Sequence, residues 1–356
     1  MAQVARTAQI ARLALLAVAV IGGLTGCGGR YARGSSSPRA PNRGITAAAL
    51  PYRILDGRTG RQLDEAAFWP ALAKARAVCV GEDHPNPHHH WWQLEVVKQL
   101  GQRAASGSML GLGMEMFQRP FQGVLDDYQA KRIDAAALRS RTGWEDRWGY
   151  DYAFYGPIID AAVAVGGRLI ALNAPKELTK KVVRKGLSSL TPDEKAQVPE
   201  LKLDDATHRA WFDALMERMG GAHGHGSKPE EAADKPTGDK PTGDKPTGDK
   251  PTGDKPTGDT APAMPSAEQV YTVQVMWDET MADTAAKWLR ANPTGRMVIL
   301  AGNGHCHDSA IVNRIKRRGL ADVVSVRPVI DDGEGSVAEV LAKPMNDYVV
   351  VLEMPN

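Results

Sequence analysis

What this sequence has little of narrows it first. Net charge is nearly absent, since 44 basic residues face 42 acidic ones over 356 positions. The surplus is Arg6 and Arg12, both in a segment read below as a leader, and the remaining 42 and 42 cancel. A balanced chain of this kind carries no electrostatic footprint for nucleic acid. Apolar runs are short too. Leu13 to Ile21 falls well under the ~20 residues that a membrane span requires. Between Gly220 and Pro265 only scattered alanines and Met264 are apolar, and five tandem Lys-Pro-Thr-Gly-Asp units with nothing apolar to bury fill Lys235 to Asp259. Proline and glycine in every unit forbid helix and sheet, so residues 220–265 are expected to be a disordered insertion.

Cysteine is scarce, and its placement is informative. Cys27 closes a leader made of Arg6, Arg12, the apolar run and Gly22-Gly23-Leu24-Thr25-Gly26, which reads as a signal peptide over residues 1–26. Leu-Thr-Gly-Cys resembles the lipobox of bacterial lipoproteins and implies a lipid on Cys27 and a membrane partner. Residues 27–50, rich in Gly, Ser, Pro and Arg, read as a flexible tether. Only Cys79 and Cys306 remain. Aligning the two Gly-x-x-His motifs described next sets them six positions apart along their strands. At ~3.3 Å per residue that is roughly 20 Å, so both thiols are expected to be free.

With 42% hydrophobic residues, residues 51–219 and 266–356 can bury one large core. Ala77 to Val80 is a short apolar run that ends in Gly81-Glu82-Asp83-His84, and Met297 to Ala301 ends in Gly302-Asn303-Gly304-His305. Further apolar runs fall at Met109 to Met116, Gly167 to Asn173, Asp322 to Arg327 and Asp347 to Leu352. Helical patterns separate them: Asp64 to Lys74 with Asp64 as N-cap, His88 to Arg103, Pro120 to Lys131, Glu177 to Lys185, Asp204 to Met219 and Ser266 to Arg290. The fold class is therefore α/β, a mainly parallel sheet of about six strands covered by helices on both faces. In such sheets ligands sit beyond the carboxyl ends of the strands.

Glu82, His84, Glu115 and His305 stand at such ends. Neutral imidazole with carboxylate suits a divalent transition metal (zinc, manganese, iron or cobalt) whose open position activates water. The metal-free alternative is an imidazole base oriented by a carboxylate. A polar network that merely closes the sheet end is the bland alternative. His88, His89 and His90 point about 100° apart if helical and read as a solvated first turn. Asp308 reads as the N-cap of a helix over Asp308 to Arg318, and Cys306 as a small buried thiol. The aromatic segment Thr142 to Tyr155 offers Tyr150, Tyr152 and Tyr155 as axial haem ligands and Arg147 as a propionate partner. Taken without context, its Trp144, Trp148 and Phe154 read as core with the phenols at the rim.

Five spaced motifs then form a pattern: Val-Gly-Glu-Asp-His, Gly-Met-Glu-Met-Phe-Gln-Arg, Thr-Gly-Trp-Glu-Asp-Arg-Trp-Gly-Tyr-Asp, Leu-Asn-Ala-Pro and Ala-Gly-Asn-Gly-His. In this order they resemble the ChaN-type lipoproteins of the haem-binding-uptake and Tiki superfamily, over about Tyr52 to Leu352 without the repeats. The resemblance implies a bacterial envelope lipoprotein, periplasmic or surface-facing, that binds haem for iron acquisition. It also implies haem held at a subunit contact of a homodimer, with tyrosine as iron ligand. Metalloproteases and erythromycin esterases of the wider superfamily use paired Gly-x-x-His and Glu positions for hydrolysis, which here fall on His84, His305, Glu82 and Glu115. Three tyrosines cluster where one ligand is needed, so the resemblance does not assign it. The repeat insertion is not part of the shared pattern.

Overall fold

The apolar runs become strands, and the way they pair explains why they are so uniformly apolar. The computed structural model describes residues 50–104, 107–223 and 265–353. Strands β1 (Tyr52–Asp56), β2 (Ala77–Val80), β3 (Leu110–Gln118), β4 (Arg168–Asn173), β5 (Arg296–Leu300), β6 (Val323–Asp331) and β7 (Tyr348–Glu353) form one sheet. Their order is β1-β7-β6-β2-β5-β3-β4. Every pairing is parallel except that of β1 with β7. The mainly parallel sheet is present, with seven strands rather than about six, because the short Tyr52–Asp56 run joins as an antiparallel edge.

All residues of β2 and β3 are buried, as strands covered on both faces require. One face carries Val78, Val80, Leu112, Met114, Val298 and Leu300 against the helices Glu65–Leu72, Pro87–Gln102 and Gly156–Ala164. The other carries Ala77, Cys79, Met297 and Ile299 against the helix Ala267–Ala291 and Ile311, Val312 and Ile315. From β2 the chain crosses past β5 to reach β3, while from β5 it crosses past β2 to reach β6. The two exits diverge over opposite faces, so the carboxyl ends of β2 and β5 part and leave a crevice between them.

Local signals start the helices that border it. Asp64 accepts the Ala66 N–H as N-cap, and Ser266 with Gln269 forms a capping box ahead of Ala267–Ala291. Asn86 caps Pro87–Gln102 through the N–H groups of His88 and His89. This first turn is not solvated as the sequence suggested, since His89 and His90 are buried and only His88 is partly exposed. The cap seats the turn directly over the end of β2, where His90 Nε2 donates to the His84 carbonyl at 2.9 Å.

Two further expectations are corrected. Asp308 caps no helix, because Asp308–Val312 is a wide turn kinked at Ala310 (φ −97°, ψ −125°). Its carboxylate instead accepts from the Ser325 hydroxyl at 3.0 Å and from Arg58. Cys79 and Cys306 are not free thiols. They form a disulfide, with Cα atoms 5.3 Å apart. The 20 Å separation assumed that the chain runs straight on past β5. It folds back instead, with the His305 and Cys306 N–H groups both donating to the Gly302 carbonyl, and Cys306 returns over β2. The leader, Cys27, the tether to residue 49 and the Lys-Pro-Thr-Gly-Asp repeats lie outside the described residues. Among the described residues no helix is long and apolar enough to cross a membrane.

Candidate functional site

The crevice is built from two carboxylate–imidazole pairs that enter from opposite faces of the sheet. From the β2 side, His84 Nδ1 donates to Glu82 Oε1 at 2.7 Å. Glu82 is fully enclosed, and the same oxygen accepts the Tyr155 hydroxyl at 2.8 Å while His90 Nδ1 stands 3.4 Å from Oε2. Burial alone would raise the Glu82 carboxyl, but His90, His84 and Tyr155 outweigh it and hold it below its ordinary value. Burial likewise works against the charged form of His84, and the bond to Glu82 prevails and raises it.

From the other face, His305 Nδ1 donates to Asp278 Oδ1 at 2.6 Å. Asp278 is buried on the helix Ala267–Ala291, and its Oδ2 lies 3.1 Å from His208 Nε2. Burial pulls the His305 imidazole down, yet Glu115 and Asp278 together push it up to about 9, so the ring is a cation at neutral pH. His305 first, then His208 and Arg314, hold Asp278 well below the usual carboxylate range against its burial.

Glu115 joins the two halves. β3 pairs with β5 only as far as Met114 against Leu300, so Glu115 stands one residue beyond the last pair. Its Oε2 accepts the Gly302 N–H at 2.8 Å, and its Oε1 lies 3.4 Å from His305 Nε2. Gly302 leaves the space that brings them together. A Cβ there would lie 3.3 Å from His84 Nε2 and 3.8 Å from Glu115 Oε2. Both imidazoles are thus clamped at Nδ1 by a carboxylate; His305 Nε2 faces Glu115, and His84 Nε2 and Glu115 Oε2 both border the space over Gly302.

The structure therefore brings His84, Glu115 and His305 around one spot, with Glu82 behind His84. As a ligand set for one ion the predicted quartet needs correcting, because Glu82 is turned to His84, His90 and Tyr155. Among the described residues no three His, Cys, Asp or Glu side chains are disposed to hold a metal together. Asp278, His208 and His90 were missed. A buried acid on an otherwise apolar helical face, with Tyr271, Val275, Met281 and Ala282, was the available signal for Asp278. His208 had none.

The aromatic segment forms the rim. Trp148 and Tyr150 pack on the His84 ring with centroids 4.7 and 4.8 Å away, and lie 5.4 Å from each other. Tyr150 is partly exposed, and among the described residues its hydroxyl meets no hydrogen-bond partner. Burial and the charges of Glu115 and Glu82 push this phenol up to about 12. Tyr155 is sealed in the core on Glu82, and the Tyr152 hydroxyl is buried in a short turn, Tyr152–Phe154, with Arg139 over its ring. Tyr152 and Tyr155 share no α-helical face, because the helix begins only at Gly156. Arg147 bonds Gln118 and Glu177, each at 2.7 Å, and stacks on Phe121. Two surface cavities, of about 320 and 720 Å³, lie elsewhere and share none of the residues around Glu115.

A family model described as haem-binding uptake, Tiki superfamily, ChaN matches residues 68–315, which include both Gly-x-x-His motifs, Glu115 and the aromatic rim. The chain belongs to this family. The solved structure described as cofacial heme binding to ChaN of Campylobacter jejuni is similar at 14% identity and a TM-score of 0.57. That likeness covers 85% of this chain and 97% of the other, and it establishes the shared fold. An erythromycin esterase, EreC, aligns over 79% of this chain and 77% of its own at 12% identity, with a TM-score of only 0.40. Among curated proteins, Protein RETICULATA-RELATED 5 of Arabidopsis thaliana is 30% identical over 137 residues. This is 37% of the ChaN-family chain but only 18% of the plant protein.

Proposed function

We propose that this chain is an envelope lipoprotein that binds haem for iron acquisition, with Tyr150 as the iron ligand. One observation carries the choice of residue. Of the three candidate phenols, Tyr155 is bonded to Glu82 and the Tyr152 hydroxyl is buried, whereas Tyr150 is partly exposed, has no hydrogen-bond partner among the described residues and stands at the rim of the crevice beside Trp148. A phenol with a flat indole at its side fits a porphyrin, whose iron would supply the cargo and whose face would cover the aromatic rim. Arg147 meets a propionate only by exchanging Glu177 for it. Membership of the family and the haem named for the Campylobacter jejuni protein support the ligand class. The Cys79–Cys306 disulfide supports export to an oxidising compartment, in keeping with the leader. Titration with haemin is expected to give a saturable absorbance change that Tyr150→Phe weakens at least tenfold and Tyr152→Phe leaves in place. A Tyr150→Phe protein that binds haemin like wild type would remove the assignment.

The paired imidazoles favour a second reading, a hydrolase. A metal-dependent form needs Glu82, His84, Glu115 and His305 to face one ion, and Glu82 faces away from it. The chemistry these side chains support is His84 Nε2 as general base, oriented by Glu82, with cationic His305 stabilising negative charge near Glu115. A panel of activated esters and short peptides, with His84→Ala as control, tests it. Turnover that His84→Ala lowers by 10²-fold or more supports this reading, and turnover equal in both ends it.

A further inference from the structure

We propose that Arg327, His89 and His307 form a second site, beside the first and on the β6 side of it, that takes a small oxyanion of phosphate or carboxylate type. The site does not depend on the haem reading. Register places Arg327. Val80 pairs with Val326, and the Gly81 N–H donates to the Val326 carbonyl, so Arg327 leaves β6 level with Gly81. Alternation sends it to the face of Val323 and Ser325, which is the face of the disulfide.

Three buried nitrogens there lack a partner. His89 is 2% exposed, and its Nδ1 accepts the Asp83 N–H at 2.9 Å. Burial pulls this ring down to about 4, so it is neutral at pH 7 and its single proton sits on Nε2. That Nε2–H meets no partner. His307 is 1% exposed, with the Trp211 ring 4.4 Å away and Ser309 Oγ 3.1 Å from Nδ1; with that hydroxyl donating to Nδ1 the ring proton sits on Nε2, which has no partner. Arg327 Nε is buried without a partner, and among the described residues the guanidinium makes no hydrogen bond or ion pair. Its charge reaches both imidazoles, which draws the three groups into one neighbourhood.

The surroundings explain why an anion and not a cation would fill it. The buried Arg314 on the same face has the Glu279 carboxylate 3.3 Å from its Nε, whereas among the described residues no acid stands within ion-pair distance of Arg327. The acid whose charge reaches Arg327 is Asp83, and it is engaged by the Asn303 amide at 2.9 Å. A further cation, Arg218, is felt at Arg327 as well. A ring whose Nδ1 already accepts a backbone N–H cannot offer Nε2 as a lone pair to a metal. Buried donors are almost always satisfied in folded proteins, and an N–H pair beside a guanidinium matches the oxygens of one oxyanion.

The test is calorimetric titration of the purified full-length chain in mild detergent with inorganic phosphate and, separately, acetate. Chloride holds the ionic strength constant. Saturable binding of one probe is expected, weakened at least tenfold by Arg327→Gln and severalfold by His89→Gln or His307→Gln. Phosphate alone binding would assign a tetrahedral anion, and acetate alone a carboxylate. No saturable binding of either, or equal affinity in Arg327→Gln, overturns the site. If Arg327→Gln does not fold, Arg327→Lys and His89→Gln decide, and unchanged affinity in both is equally fatal.

Discussion

At the scale of single residues the crevice depends on Asp278, which offsets the charge of His305 and Arg314. It bonds His305, sits 3.1 Å from His208 and lies 3.9 Å from Arg314. Removing one charge from a buried ion network strands the others, at a cost of ~3–5 kcal/mol. Asp278→Asn is therefore expected to destabilise the fold by about that amount in denaturant unfolding. A matching pH dependence follows from His305. Its folded pKa of about 9 lies above the ordinary 6.5, so the folded chain binds the extra proton between those values. The stabilisation is complete below pH 6.5 and is lost as pH rises through about 9. Unfolding followed from pH 6 to 10 should show that loss in wild type, and a flatter profile in Asp278→Asn.

At the scale of elements, what matters is how closely the loop after β5 approaches β2. Gly302 has ordinary backbone angles for any residue, so its role is space. A Cβ would stand 2.9 Å from His84 Cε1, closer than packed atoms tolerate. Gly302→Ala is expected to push the His84 ring off Glu82. The proton resonances of His84 should then titrate nearer the ordinary imidazole value, because the bond that raises it is gone. Overpacking of this kind costs ~1–3 kcal/mol. An unchanged His84 titration in Gly302→Ala would show that the loop yields instead of the ring. The strands themselves were legible, since continuous apolar runs ending in Gly-x-x-His announce a doubly covered parallel strand and its carboxyl end. The turn after β5 was not, because Gly302, Asn303 and Gly304 are compatible with both a straight exit and a fold-back. That ambiguity hides the disulfide from the sequence.

At the scale of the whole molecule, one covalent bond joins segments 227 positions apart and holds the two halves of the crevice in register. Cross-linking so long a loop removes much freedom from the unfolded chain, and ~2–5 kcal/mol of stability is expected from it. Cys79→Ala with Cys306→Ala should lower stability by that amount in thermal or denaturant unfolding. A non-reducing mass measurement should find the wild-type chain lighter than its reduced form by two hydrogen atoms. Equal stability with and without reductant would show that the bond adds nothing to the fold.

By itself the amino-acid order determined the α/β class, the strand ends that carry Glu82, His84 and His305, and the family. Those properties are written in apolar runs and motifs that are local along the chain. Only tertiary structure decided that Asp278 and His208 back His305, that Tyr155 is committed to Glu82 and Tyr150 left at the rim, and that Cys79 meets Cys306. Each of these is a contact between residues far apart in sequence, set by which helix covers which face and where a glycine lets a loop turn back. Periodicity along the chain holds no record of such distances.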